Sequence, residues 1–96
     1  MNQVNEHTIH TWLDAHKEEM IAVLKDWVSI PSVSRAELAA PGAPYGPDCR
    51  RMLDRALSTA EAFGFHTEDH AGYCGSVVFG SGEKEIGIAA HLDVVP

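Results

Sequence analysis

Cysteine is scarce in this chain. Only Cys49 and Cys74 occur; they form no Cys-x-x-Cys pair and are too few for a disulfide framework. Positive charge is scarce as well. Seven Lys and Arg stand against fourteen Asp and Glu, a net charge of −7. Such a surface repels phosphate backbones, so no nucleic-acid partner is expected. The acidic residues are scattered, which reads as solvated surface and not as an acidic tail. No apolar run approaches the roughly 20 residues that span a bilayer, so no membrane partner is expected either. Residues 1–6 lack a basic stretch followed by an apolar one, so no secretory signal is expected. With reduced thiols and neither leader nor span, the expected compartment is the cytoplasm. No internal repeat is visible.

What is present is a chain of 96 residues, 45% of them hydrophobic. That length and composition suit one small globular domain of marginal stability. Residues 8–28 are predicted to form an amphipathic helix, because Ile9, Trp12, Leu13, Met20, Leu24, Trp27 and Val28 recur at helical spacing. His16 falls on the same face and reads as a histidine at the edge of that face rather than as a ligand. Pro31 cannot continue the helix and pushes Ile30 towards extended backbone. Residues 39–47 hold five glycines and prolines in seven consecutive positions and read as a long surface connection.

A second helix is predicted from Asp48, read as its N-terminal cap, to Gly64, read as its left-handed stop. Cys49, Met52, Leu53, Ala56, Leu57, Ala60 and Phe63 form its apolar stripe, with Cys49 a small core residue. The period then changes to two. Residues 65–69 and 73–79 are predicted strands, with Tyr73, Gly75, Val77 and Phe79 on one side. Residues 85–90 are apolar on both faces, as in a central strand. The expected fold class is α/β, two helices packed on a mixed β-sheet.

The chemistry is concentrated in His91-Leu92-Asp93-Val94-Val95-Pro96. A predicted strand leads into it, and open α/β sheets place ligands at such carboxyl ends. In extended backbone His91 and Asp93 point to the same side. A carboxylate beside an imidazole accepts one ring N–H, fixes the tautomer and aims the other nitrogen at a metal. Three letters are weak evidence, and on them alone a strand-end histidine capped by a loop aspartate is the better explanation.

The longer string Ala90-His91-Leu92-Asp93-Val94-Val95-Pro96 resembles the first signature of the M20 metallopeptidases. Trp27-Val28-Ser29-Ile30-Pro31-Ser32-Val33-Ser34 resembles the close of that family's first helix, and Phe63-Gly64-Phe65 the end of its second. The stretches 71–75, 79–82 and 85–87 look most like the bacterial dipeptidase branch, the PepV-type enzymes of Xaa-His and related dipeptides. The resemblance implies that His91 is a metal ligand and Asp93 the catalytic-site aspartate that holds it. It implies a reaction with two metals, usually zinc, bridged by a water whose pKa they lower, and a glutamate as general base.

The family's other ligands and its base glutamate have no match in these residues. Residues 1–96 are therefore expected to be a partial catalytic domain, the N-terminal part of an M20-type domain, and inactive alone. His7 with His10, His66 with His70, and Cys74 lack recognisable ligand spacing. No Gly-x-Ser-x-Gly elbow surrounds any serine, and the glycines of 72–82 lead into no helix and form no phosphate loop. Two alternatives stand beside the dipeptidase reading. One is an N-acyl amino acid deacylase of the same family. The other is a non-catalytic segment that self-associates, or binds a partner, through an exposed sheet edge.

Overall fold

The computed structural model describes residues 4–96; residues 1–3, part of the segment read for a leader, lie outside the described residues. Helix α1 spans Glu6–Val28. It starts two residues before the predicted point because the Asn5 side chain accepts the Thr8 N–H at 2.9 Å, satisfying one of the first turn's free donors. Glu6 in the first turn and Lys25 in the last oppose the helix dipole. The helix ends at Ser29, ahead of Pro31, as the sequence predicts.

Helix α2 spans Pro47–Ala62. Its cap differs from the prediction. Gly46 is the N-cap and Pro47 the first helical residue, a position where proline's missing N–H and fixed φ are no handicap. Asp48 therefore lies inside the first turn and caps nothing; it pairs with Arg51 at 3.5 Å. The stop is as predicted. Gly64 has φ 91°. The Phe65 N–H reaches the Ala60 carbonyl at 3.1 Å and the Gly64 N–H the Glu61 carbonyl at 2.9 Å. This paired closure satisfies two otherwise orphaned carbonyls.

Strands β1 (His66–Asp69) and β2 (Gly75–Val78) form an antiparallel hairpin. The register pairs His66 with Val78 and Asp69 with Gly75. The hairpin lies on α2 so closely that a Cβ at Gly75 would sit 2.8 Å from Leu57 Cδ2 and 3.0 Å from Leu53 Cδ1. Gly75 thus faces α2, whereas Tyr73, Val77 and Phe79, placed with it on one side by the sequence, are more than half exposed. Arg50 links three elements. Its guanidinium binds Asp54 on α2 and Asp69 on β1, and donates to the Gly42 carbonyl at 3.0 Å. The glycine- and proline-rich connection is thereby held against α2 as a surface loop.

The α/β class holds, with one difference in the sheet. Residues 85–90 join no ladder, so the sheet is a two-stranded antiparallel one instead of mixed. Ile86 and Ile88 are more than nine-tenths exposed. Apolar, small residues favour a strand only where a neighbour accepts their backbone bonds and covers their side chains. Among the described residues no such neighbour lies beside 85–90.

The core is small: Ile30, Met52 and Leu53, with Ser32 as its buried polar member. No residue of α1 is buried. The helix is tied to α2 at its C-terminal end, by Trp27 Nε1 donating to Thr59 Oγ1 at 3.2 Å and by an Arg55–Asp26 ion pair at 2.5 Å. The radius of gyration, 16.0 Å, exceeds the roughly 12.5 Å expected of a compact chain of this length. No helix is long and apolar enough to cross a membrane among the described residues.

Candidate functional site

The site is built where the segment after α1 meets the last residues. Pro31 holds residues 30–34 out of helix, and Ile30 and Ser32 turn inward. Ser32 is 1% exposed, and its hydroxyl donates to the Leu92 carbonyl at 2.9 Å. Its own carbonyl accepts the Val94 N–H at 3.0 Å and a weaker contact from Cys49 Sγ at 3.5 Å. Among the described residues past Phe79, Val94 is the one whose backbone N–H finds a backbone acceptor.

Closing the connection of about 13 residues between β2 and Leu92 costs about 2.3 kcal/mol on the length term alone. Two hydrogen bonds return about 1 kcal/mol each. The partial burial of Leu92 adds the remainder.

Leu92 is flanked by the two residues singled out from the sequence. His91 Nδ1 lies 3.0 Å from Asp93 Oδ1 and 3.2 Å from the Asp93 carbonyl oxygen. With Asp93 ionised, Nδ1 carries the proton and donates, which leaves the Nε2 lone pair free. Both side chains are more than half exposed. The pair fits a metal as one nitrogen ligand with its orienting carboxylate. A catalytic zinc site uses about three protein ligands, and no group of three His, Cys, Asp or Glu suited to a metal occurs among the described residues.

The other candidates lie apart from this pair. His10 sits 3.9 Å from Glu6 on α1. His16 stacks on Trp12, centroids 3.9 Å apart, with Nδ1 bonded to the Trp12 carbonyl; the face it borders, read as packed from the sequence, has no buried residue. His70 bonds Ser76 Oγ at 2.6 Å across the hairpin. Cys74 is exposed. Cys49 is half-buried, and burial first, then the Asp93 and Asp48 charges, push its thiol above the usual range. A raised thiol is a poor nucleophile at neutral pH, which agrees with a packing role for Cys49.

An open hollow of about 1360 Å³ separates α2 and the hairpin from residues 84–93. It exceeds the usual volume of a ligand pocket, roughly 300–1,000 Å³. Its walls include Leu53, Leu57 and Ile88 as well as His91 and Asp93. It is the gap left between layers that do not pack, and it defines no ligand shape.

Sequence reasoning missed Ser32 as part of this site. The one local hint is a hydroxyl set in sequence between the apolar Ile30, Pro31 and Val33. Its partners are backbone groups about 60 residues away, which no side-chain pattern encodes.

No protein-family model matches the chain. Individual relatives do. The chain is 37% identical over 83 residues to the Beta-Ala-Xaa dipeptidase of Lactobacillus delbrueckii subsp. lactis, covering 86% of this chain and 18% of that protein. Two further relatives bear the name "Putative dipeptidase". One, from Bacillus subtilis, is 35% identical over 83% of this chain and 17% of its own length. The other, from Staphylococcus saprophyticus, is 38% identical over 88% of this chain and 19% of its own length. The chain thus spans less than a fifth of the relatives it matches.

Proposed function

From its similarity to bacterial dipeptidases, we propose that this chain contributes the first metal ligand, and the carboxylate that orients it, to a metal-dependent dipeptidase site of the M20 type. His91 offers Nε2 to the metal. Asp93 accepts the Nδ1 proton, holds the ring in that tautomer and raises the basicity of Nε2. Two zinc ions, when bound, would polarise the scissile carbonyl and make hydroxide available near neutral pH. The observation that supports this reading is the 3.0 Å contact between His91 Nδ1 and Asp93 Oδ1. The expected substrate is a dipeptide, in line with the relatives' names, and the expected compartment is the cytoplasm, where Cys49 and Cys74 stay reduced.

One ligand and its carboxylate do not make a catalytic zinc site, so the 96 residues alone are expected not to hydrolyse dipeptides. The test compares dipeptide hydrolysis, with added zinc, manganese or cobalt, by this chain and by a chimera in which it replaces the matching segment of the Lactobacillus relative. Activity is expected in the chimera and lost with His91→Ala. Hydrolysis by the 96-residue chain itself would overturn the ligand count.

A second reading is favoured by the exposed apolar face of α1, with Trp12, Met20 and Leu24 at least half exposed. That face, with the unpaired edges of the hairpin, suits self-association. Light scattering would then read a mass above one chain.

A further inference from the structure

We propose that Ser32 is a positioning residue for the His91–Asp93 pair, acting as a two-point clip on the backbone between and after them. The proposal rests on the reading of His91 and Asp93 as ligand and orienting carboxylate. The Ser32 hydroxyl donates to the carbonyl of Leu92, the residue between the pair. The Ser32 carbonyl accepts the N–H of Val94, the residue after it. Leu92 is held from one side chain and Val94 from one carbonyl, so the backbone through Asp93 has both ends fixed to a single buried residue.

The consequence for the pair is direct. His91 and Asp93 stand two residues apart, so the path of the backbone at Leu92 decides whether their side chains meet, as they do where it is extended. Both side chains are exposed, so packing does not hold them together. Residues 80–90 join no helix or strand and restrain nothing. The clip is the local restraint that remains, and Ser32 is 1% exposed, placed to keep water off both bonds. Cys49 Sγ, 3.5 Å from the same carbonyl, ties the clip to α2. Removing the hydroxyl frees Leu92, lets His91 swing from Asp93 and releases the Nδ1–H tautomer.

The test uses the 96-residue chain with ¹⁵N-labelled histidine, at a pH about two units above the ordinary histidine pKa so that the ring is neutral. Long-range ¹H–¹⁵N spectra read the His91 tautomer, and Co²⁺ titration reads affinity at its ring. The wild type is expected to show the Nδ1–H form. Ser32→Ala is expected to lose its predominance and to weaken Co²⁺ at His91 about tenfold, the usual scale for removing an outer-shell partner. Ser32→Thr, which keeps the hydroxyl, is expected to restore both. In a His91→Ala background, Ser32→Ala is expected to leave residual Co²⁺ binding unchanged.

Should Ser32→Ala unfold the chain, Val94→Pro answers instead. It removes the N–H arm at a half-exposed residue and is expected to weaken Co²⁺ severalfold. A folded Ser32→Ala or Val94→Pro protein with wild-type tautomer and Co²⁺ affinity would overturn the proposal. Absence of His91-dependent Co²⁺ binding in the wild type would sink the metal reading alone, because the tautomer still reports on the clip.

Discussion

Helix α2 with its hairpin, and helix α1 with the segment after Phe79, have similar apolar content and opposite fates. Met52 and Leu53 on α2 are buried, and the hairpin packs against Leu53 and Leu57. On α1, Ile9, Trp12, Met20 and Leu24 stay exposed, as do Ile86 and Ile88 after the hairpin. The difference is a difference of neighbours. α2 meets its partner strands within a few residues, across a tight closure at Gly64, so bringing them together costs little entropy. Among the described residues, the α1 stripe ahead of Trp27 and the run at 85–90 have the right periods and little surface to pack against. Periodicity therefore fixes what an element would bury and leaves open whether it buries it.

The comparison is broken most severely by truncating the buried side. Met52→Ala, at 2% exposure, is expected to cost about 2–5 kcal/mol. A domain of this size has only about 5–14 kcal/mol in all, and this one has a small core. Urea unfolding followed by far-ultraviolet circular dichroism should show the cooperative transition collapse towards zero denaturant. An unchanged midpoint would mean that α2 and the hairpin do not form the stable unit.

Acid gives the next effect. The Arg50 guanidinium, then the Gly72 N–H, hold the Asp69 carboxyl below its ordinary value. A carboxyl with a lowered folded pKa binds fewer protons folded than unfolded, so its stabilisation is present above the unfolded value. It is lost as pH falls from about 4 through the folded pKa. Hairpin amide shifts followed down a pH series should show this loss, and Asp69→Asn should flatten it. The Arg50 and Asp69 side chains keep 24% and 38% of their surface in water, and solvent screening of the pair leaves the effect modest beside the Met52 truncation.

The smallest effect is expected on the open side. Leu24→Lys, at a site 58% exposed, should move stability by no more than about 0.5 kcal/mol. The same substitution should lower any self-association seen by light scattering. A large loss of stability would show that α1 is covered in solution and would erase the contrast between the two regions.

Much of the local structure was legible. The two helices, the Gly64 stop and the hairpin strands follow from spacing and from glycine and proline chemistry, because their determinants lie within a few residues. The N-terminal cap of α2 was misread. Asp48 is a good capping residue, yet Pro47 takes the first helical position and moves the cap back to Gly46. The third strand was misread because its pattern is that of a strand covered on both faces, and coverage is not a property of the segment. At the site, the proximity of His91 and Asp93 was legible from their spacing of two. Ser32 was not, because it acts through backbone groups remote in sequence.

The sequence by itself determined the chain's helical and strand periods, its acidic surface, and the pairing of an imidazole with a carboxylate two residues on. Each depends on side chains near one another along the chain. Only the tertiary structure decided that α2 and not α1 is covered, that residues 85–90 stay unpaired, and that Ser32 holds the backbone of Leu92 and Val94. Those outcomes depend on which backbone donors and apolar faces meet across long loops, and closure entropy weighs against every such meeting until burial and hydrogen bonds together exceed it.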